Sequence, residues 1–499
     1  MKKLILATIC GIVSLSAVAY DFQEGEIYYN ILPDGQSVEV THNNTADYNG
    51  FAAYTGSVTI PESVTYNGVT YNVVKIGEDA FAESTYVSKV TIPESVTEIA
   101  RKAFYSCSRL RNFELPGSVT SIGELAFYHC VALKSLHIPA AVDAIGSKAF
   151  MLCNGLTELT VDAANESYSS ENNIIYNKDK TLLVAAMSTF SGHLDVPLTV
   201  KEIGENAFVE CDGLTSINLG NVSVIHDFAF FDCKGLTTVT LPSSLERLGF
   251  GAFFNCTHMA ALNMNDNLKE IGERAFTRCI ALKDIEFAGD NLKIGNHAFE
   301  SCKNINLTDV TDCISEVGDY AFASCVKFRT VTLPRSVKSY GNYAFFACAQ
   351  MTRLFIGSEV EKMGENVFYN CSRIRQVTID AMTPPTICKS TFPDVVYRNA
   401  DLAVPDESLD DYKAAEYWKD FLNIEPSAVA SVGADSDIQV VAAGGHLTIV
   451  GAQPQAWVAV YALDGALVQS ACADDIARYT FDGGVYVVKV ADKSFKVVL

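Results

Sequence analysis

The sequence predicts a β-rich α/β solenoid, a stack of short repeats that are each too small to bury an apolar face alone. Two observations predict it. The motif Ala-Phe-x-x-Cys recurs along most of the 499 residues, and a fixed period of this size is typical of stacked repeats. Each copy also contains a short stretch in which apolar and polar residues alternate, as they do in a half-buried strand.

The spacing of the Ala-Phe pairs is almost constant. Every step is 23 residues, except one of 22 and one of 58. The pairs begin at Ala80, Ala103, Ala126, Ala149, Ala207, Ala229, Ala252, Ala275, Ala298, Ala321 and Ala344, and Val367-Phe368 is a variant. Stacking such copies places the phenylalanines in one continuous core column.

One repeat, Leu236–Cys256, shows how the pattern predicts structure. Alternation places Val239 in the core and Thr238 and Thr240 on the surface of a short strand. The segment from Ala252 to Cys256 carries apolar residues at one-turn spacing, which favours a short helical or 3₁₀ turn.

Cysteines follow the same period. Eleven of the fifteen lie three residues after a core phenylalanine: Cys107, Cys130, Cys153, Cys211, Cys233, Cys256, Cys279, Cys302, Cys325, Cys348 and Cys371. We expect small buried side chains there. Disulfides between neighbouring repeats stay open as an alternative, although an odd number cannot pair completely. The chain has no Cys-x-x-Cys pair, which excludes a zinc ribbon.

Composition and motifs exclude several classes of function. A net charge of −22 disfavours binding to nucleic acid or, unaided, to anionic membranes. The sequence has no His-Glu-x-x-His, P-loop, Gly-x-Ser-x-Gly or dinucleotide-binding pattern. We therefore predict no enzyme, no catalytic residue, no metal site and no cofactor.

Residues 1–19 have the pattern of a secretory signal peptide. Lys2 and Lys3 precede the apolar run Leu4–Val13, and Ala17-Val18-Ala19 fits cleavage after Ala19. The run is too short to span a bilayer, and no later stretch has the length and composition of a transmembrane segment. The expected location is therefore secreted or on the outer cell surface.

The rest of the chain divides by composition. We predict an N-terminal β cap at 20–74, a solenoid at 75–380, a C-terminal cap at 381–426, a linker at 427–436 and a small antiparallel β-sandwich at 437–499. Asn67-Gly68 is a hairpin signal within the first cap. Trp418 and Phe421 are expected to cover the core at the end of the last repeat.

The 58-residue step contains an insertion, predicted at 163–193. Within it, Asn173–Asn177 and Lys180–Ala185 have the pattern of two strands joined by a turn. This island is either a tolerated insertion or part of a binding face, because insertions in repeat proteins often map to one face.

The repeats Leu133–Cys153 (LKSLHIPAAVDAIGSKAFMLC) and Phe328–Cys348 (FRTVTLPRSVKSYGNYAFFAC) resemble those of the BspA-like leucine-rich repeat family of bacterial surface proteins. The resemblance covers about residues 22–426 and implies a curved solenoid with a binding role. The segments YALDG at 461–465, GGVYVVKV at 483–490 and KVVL at 496–499 resemble the C-terminal sorting domain of type IX secretion substrates.

The outward side chains of the repeated strands form the predicted binding face. Its candidate residues are Lys89, Glu114, His137, Asp284, Glu286, Arg353 and Phe355. We expect adhesin-like binding of a host extracellular protein, a glycan or another bacterial surface. The alternative is a structural, self-assembling component of the cell envelope without a host ligand.

Overall fold

A computed structural model describes residues 20–43, 54–111, 113–287, 291–305 and 313–427, together with parts of 439–498. The chain forms two compact units. One contains Met1–Ser191 with Ile203–Gly213, and the other contains Gly192–Glu202 with Leu214–Leu499. The predicted signal peptide and most of the predicted linker lie outside the described residues.

Most of the described repeats contribute one strand to each of two parallel ladders. In the repeat taken as the example, Thr238–Thr240 belongs to the long-strand ladder and Arg247–Leu248 to the short-strand ladder. Val239 pairs in register with Leu262 of the following repeat. Val239 is buried, whereas Thr238 and Thr240 are exposed, so the predicted alternation is confirmed.

The segment that begins three residues before the alanine of Ala-Phe-x-x-Cys and ends at the cysteine, here termed the turn segment, forms consecutive tight turns. The predicted helical or 3₁₀ turn is therefore wrong. Gly251 and Asn255 adopt left-handed φ values of 56° and 61°. The Phe253 N–H donates to the Ala275 carbonyl of the next repeat at 2.8 Å, while the Cys256 N–H donates back to Phe253 at 3.3 Å. Alternate N–H groups thus cross between repeats, which a helix would not allow.

Core phenylalanines stack along each unit. Phe276 lies between Phe253 and Phe299, at centroid distances of 5.4 and 5.3 Å and interplanar angles of 4° and 8°. All three rings are buried. The repeats approach so closely that a Cβ at Gly272 would lie 2.3 Å from the Leu248 carbonyl oxygen, so this position requires glycine.

The cysteine ladder fills the space beside the phenylalanines. Its members are buried and none forms a disulfide bond, which confirms the expectation of small buried side chains. The described thiol hydrogen bonds of the ladder go to main-chain carbonyls. Cys256 donates to Phe230 and Cys279 donates to Phe253, for example, both at 3.1 Å. Burial raises the pKa of both thiols, because the thiolate loses its hydration.

The first unit begins with antiparallel strands and continues as parallel ladders. Its strands are Phe22–Glu24, Ile27–Ile31, Ser37–Thr41, Thr55–Thr59, Ser63–Tyr66, Val69–Ile76, Tyr86–Thr91, Glu98–Ile99, Ser121–Ile122, Ser135–Ile138, Ala144–Ile145 and Glu158–Val161. Ser63–Tyr66 and Val69–Ile76 form an antiparallel hairpin around the predicted Asn67-Gly68 turn.

The island forms three antiparallel strands in the same unit, Tyr168–Glu171, Ile174–Asn177 and Leu182–Ala186. Asn165 precedes them and is fully buried. Its Nδ2 donates to the carbonyls of Pro139 and Val142 at 2.8 Å each, so the start of the island is fixed to the repeat before it.

The second unit contains the later repeats. The chain passes from one unit to the other within the strands Ser191–Asp195, Glu202–Ile203 and Gly213–Asn218. The strands that follow are Val224–Ile225, Thr238–Thr240, Arg247–Leu248, Ala261–Asn263, Glu270–Ile271, Asp284–Glu286, Leu292–Ile294, Ile314–Val317, Thr330–Thr332, Ser339–Tyr340, Arg353–Ile356, Lys362–Met363 and Gln376–Ile379.

Short helices and two further strands follow the last repeat. The strands are Asp401–Val404 and Asn423–Pro426, the α-helices are Asp394–Asn399 and Leu409–Ala414, and the 3₁₀ helices are Asp406–Ser408 and Trp418–Asp420. Phe392 continues the core stack at 5.0 Å from Phe368. Trp418 lies 5.9 Å from Phe392, and its Nε1–H donates to the Pro385 carbonyl at 2.8 Å.

Replacing Trp418 by alanine is expected to destabilise this end of the solenoid by about 3–5 kcal/mol. The ring is fully buried, and its loss leaves both a cavity and an unpaired Pro385 carbonyl. Urea titration followed by far-UV circular dichroism measures the effect. The matched control is Trp418→Phe, which keeps most of the ring; equal stability of Trp418→Ala and the wild type would contradict this role.

The C-terminal strands are antiparallel. They are Gln439–Ala443, His446–Val450, Trp457–Ala462, Leu467–Cys472, Val485–Val490 and Lys493–Val498, arranged as sheets of two and four strands. Leu447, Val458 and Val488 belong to one buried apolar cluster. Face-to-face packing of the two sheets as a sandwich stays a prediction.

Candidate functional site

In the first unit, the predicted binding residues lie along the long-strand ladder or beside it. Lys89 is exposed on Tyr86–Thr91, and His137 is exposed on Ser135–Ile138. Glu114 is also exposed, in a segment without regular secondary structure. Among the described hydrogen bonds and ion pairs, none joins two of these three residues, so they form a dispersed surface.

In the second unit, Arg353 is exposed and Phe355 is half-buried on the strand Arg353–Ile356. Phe355 is in register with Thr332 on one side and Thr378 on the other. Asp284 and Glu286 lie on one strand, paired with Ala261 and Asn263, but their side chains lie outside the described part of the structure. The binding role of all seven residues stays a prediction.

Histidines on the long-strand ladder form hydrogen bonds between repeats. The Nδ1 atom of His137 lies 3.0 Å from Thr160 Oγ1, and that of His193 lies 2.7 Å from Ser216 Oγ. His193 Nε2 also lies 3.3 Å from an Asp195 carboxylate oxygen. Both histidines are exposed, and they also connect neighbouring strands.

The turn segments of the second unit carry a different feature, a row of half-exposed aromatic rings. These rings flank the core Ala-Phe pairs. The turn-face aromatic row consists of Phe228, Phe231, Phe250, Phe254, Tyr320, Tyr343, Phe346 and Tyr369. All are partly or well exposed, whereas the core phenylalanines beside them are buried.

The rings of the row contact one another. Tyr320 stacks on Tyr343 at 4.7 Å, and Phe346 stacks on Tyr369 at 5.9 Å. Tyr343 and Phe346 meet edge to face at 5.9 Å. Because stacked rings cover each other's faces, the row presents mainly ring edges. Tyr369 is 47% exposed.

A second group of rings lies earlier in the row. Phe228 contacts Phe231 at 5.7 Å and Phe250 at 5.0 Å, both nearly perpendicular. Phe231 stacks on Phe254 at 5.3 Å. Three ring contacts therefore link four partly exposed phenylalanines at the surface. Exposed apolar patches of this kind mark interaction sites.

The stacked 23-residue repeats match those of a known protein family. The profile of the BspA type leucine-rich repeat region, in six copies, matches residues 55–180, 187–306 and 294–399. Together these ranges cover more than half of the chain. The chain belongs to this BspA-type family. No curated protein matches it.

Solved structures of bacterial leucine-rich repeat proteins are similar. One from Eubacterium ventriosum is 22% identical with a TM-score of 0.52, over 65% of this chain and 93% of that one. One from Bacteroides ovatus is 28% identical with a TM-score of 0.48, over 72% and 95%. The first of these likenesses supports the solenoid fold and nothing further.

The aromatic row lies at variable positions of the BspA-type repeat. Its members come immediately before the alanine or immediately after the core phenylalanine, except Phe250, which lies two residues before Ala252. The sequence contains the signal as the repeated pairs Phe230-Phe231, Phe253-Phe254 and Phe345-Phe346. Among the strand residues predicted to bind, Phe355 is the one aromatic residue. A search for aromatic residues next to the core phenylalanines would have found the row.

Other kinds of site have less support. Among the described residues, no group of three or more His, Cys, Asp or Glu side chains could hold a metal ion. The helices of the described part are all too short or too polar to cross a membrane.

Proposed function

We propose that this BspA-type protein is secreted or displayed on the outer surface of a bacterial cell, where it binds another macromolecule in an adhesin-like role. The family assignment, the predicted signal peptide and the type IX-like C-terminal segments support this location. On this proposal the C-terminal strands act in export or anchoring, and the repeats provide the binding surface.

The turn-face aromatic row is the observation that carries the binding role. Aromatic side chains bury about 150–250 Å² each on contact, and tyrosine is enriched among the residues that dominate binding energy. Tyr343 and Phe346 contact each other at the centre of the later group of rings. Their mutual packing restricts rotamers before binding, which lowers the entropic cost of association.

The chemistry of the row favours a protein partner over a polysaccharide. Stacking on a sugar requires an open ring face, whereas Tyr320 and Tyr343 cover each other's faces at an interplanar angle of 6°. Partial burial and the neighbouring Tyr343 raise the pKa of the Tyr320 hydroxyl, so it stays neutral at pH 7. The net charge of −22 would repel acidic glycans and favour neutral or basic partners.

The test is a binding screen of the chain without its predicted signal peptide. The panel contains immobilised matrix proteins, mucins, glycans and bacterial surfaces at several salt concentrations. We expect saturable binding to a protein, weakened about tenfold or more in the double variant Tyr343→Ala, Phe346→Ala. Phe355→Ala, on the long-strand ladder of the same unit, is the matched control and should bind like the wild type.

Two results would redirect the proposal. Loss of binding in Phe355→Ala, with the double variant unaffected, would move the site to the long-strand face. No binding in the panel, together with concentration-dependent oligomers in light scattering, would contradict the adhesin-like role and favour a self-assembling envelope protein.

A further inference from the structure

The island contains a repeat that lacks its turn segment. Gly204 N–H donates to the Leu183 carbonyl at 2.8 Å, as Gly146 N–H donates to Ile122 in a regular repeat. Ala186 N–H donates to the Ala207 carbonyl at 2.8 Å, which is the bond that a core phenylalanine makes elsewhere. Leu183 therefore takes the place of the strand isoleucine, and Ala186 takes the place of the core phenylalanine.

The island reaches the core position by a shorter path than a regular repeat. Only Val184 and Ala185 separate Leu183 from Ala186, whereas four residues separate Ile122 from Phe127. The left-handed turn that precedes the core phenylalanine in regular repeats has no counterpart in the island. The turn segments on either side of it, 146–153 and 204–211, consequently lack a complete turn segment between them; the missing part is here termed the missing rung.

A cavity of about 210 Å³ occupies the place of the missing turn. Its lining includes both flanking turns and an apolar floor formed by Phe150, Ala185, Ala186 and Val209. Phe150 is 6% exposed, while Phe127 in the preceding repeat is 0% exposed. An apolar cavity of about 150 Å³ already binds benzene, so this one has room for an aromatic side chain.

Main-chain groups at the two rims of this cavity are left without their usual partners. In a regular repeat, Leu125 N–H donates to Ser147 at 3.1 Å and His129 N–H donates to Met151 at 2.9 Å. Within the described residues, the N–H groups of Lys148, Phe150 and Leu152 donate no main-chain hydrogen bond. On the opposite rim, no main-chain N–H of the described part of the chain donates to the carbonyls of Glu205 and Val209.

One side-chain bond spans the gap. Asn206 Nδ2 donates to Ser147 Oγ at 3.1 Å, although the two residues are 59 positions apart. This bond joins the rims directly, because no island residue intervenes at that point. A ligand entering the cavity would have to break this hydrogen bond.

We propose that this island cleft binds an extended peptide of a partner protein, whose main chain supplies the missing rung and whose aromatic side chain fills the apolar floor. A peptide carbonyl accepts from the Lys148 N–H and a peptide N–H donates to the Glu205 carbonyl, at the position before Ala186 where the island supplies no main chain. Donors on one rim and acceptors on the other match a polypeptide main chain, as in binding by strand addition.

The probe for this proposal is the turn segment that the island lacks. A fluorescein-labelled peptide with the sequence of residues 123–129, Gly-Glu-Leu-Ala-Phe-Tyr-His, is titrated with the protein in fluorescence anisotropy. We expect saturable binding that weakens about tenfold or more when the peptide phenylalanine becomes alanine. Hydrogen exchange at the Lys148 amide should slow about tenfold or more when the peptide is bound.

Two protein variants should act in opposite directions. Ala185→Trp fills the floor and should weaken binding about tenfold or more, with Ala141→Trp, exposed outside the cleft, as the matched control. Asn206→Gly removes the bond to Ser147 and tolerates the left-handed φ of 58°, so it should tighten binding.

The proposal is overturned if the wild type shows neither saturable binding nor slowed exchange, or if Ala185→Trp binds the peptide as well as Ala141→Trp does. Slowed exchange at the Lys148 amide in concentrated protein without peptide would assign the cleft to a second copy of the chain instead. If Ala185→Trp does not fold, the exchange measurement on the wild type decides.

Discussion

Raising the pH above 9 is expected to unfold the protein steeply, because the cysteine ladder must stay protonated in the folded state. Burial raises the pKa of the thiols above their ordinary value of 9.0 in eight of the ladder cysteines: Cys107, Cys130, Cys211, Cys256, Cys279, Cys302, Cys325 and Cys348. In the unfolded chain the same thiols ionise near 9.0.

The sign of the effect follows from proton binding. Above pH 9 the unfolded state binds fewer protons than the folded state, so stability falls as pH rises. Each thiol contributes roughly 1.4 kcal/mol per pH unit until its folded-state pKa is reached. For eight thiols the sum is on the order of 10 kcal/mol per unit, which is comparable to the total stability of about 5–15 kcal/mol usual for a domain.

Far-UV circular dichroism between pH 7 and 11, in the presence of a reducing agent, measures this transition. Alkylation of thiols by iodoacetamide should begin in the same pH range, since unfolding exposes the ladder. The double variant Cys256→Ala, Cys279→Ala is the matched control. It should reduce the change of the unfolding free energy with pH by about 3 kcal/mol per pH unit. A native spectrum with unreacted thiols at pH 11 would contradict the argument.

The repeat period and the strand alternation were sufficient to predict the solenoid and its core. Val239 and Phe253 lie where the pattern placed them, because burial of one face in every repeat leaves a strong periodic signal. The turn segment was not predictable in the same way. Lys102 and Leu125 adopt left-handed φ values of 56° and 57°, a conformation that their residue types do not favour.

The left-handed turns arise from interactions between repeats. Lys102 N–H donates to Glu124 at 2.9 Å, and Phe104 N–H donates to Ala126 at 2.8 Å. These bonds, together with stacking of the core rings, determine the main-chain conformation at positions where local propensity favours a helical turn. Tertiary contacts of this kind override propensity, which a single repeat does not reveal.

The candidate surfaces differ in how far the sequence could predict them. The turn-face aromatic row was visible as adjacent phenylalanines, but only once the turn segment was known to expose one residue of each pair. The island cleft had no such signal. Leu183 and Ala186 resemble ordinary strand residues, and their equivalence to Ile122 and Phe127 rests on hydrogen bonds to the neighbouring repeats.

Replacing Phe276 by alanine is the second change with a large expected effect. The ring is fully buried and stacks on Phe253 and Phe299. Its removal leaves a cavity that the neighbouring repeats cannot close, because Gly272 and Gly295 already hold their main chains in close contact with the preceding repeats. We expect a loss of about 3–5 kcal/mol in the free energy of unfolding.

The shape of the urea unfolding curve of Phe276→Ala should change as well. In stacked repeats, stability is a sum of repeat and nearest-neighbour terms, so a weak central repeat separates the flanking repeats into segments that unfold independently. Urea unfolding followed by circular dichroism should therefore broaden, or divide into two steps, in Phe276→Ala. Phe355→Ala removes a half-buried ring from the same unit and should cost less and keep one sharp transition. A single unchanged transition in Phe276→Ala would mean that the stacked rings do not transmit stability between repeats, since losing a ring at the centre of the column would then affect only its own site.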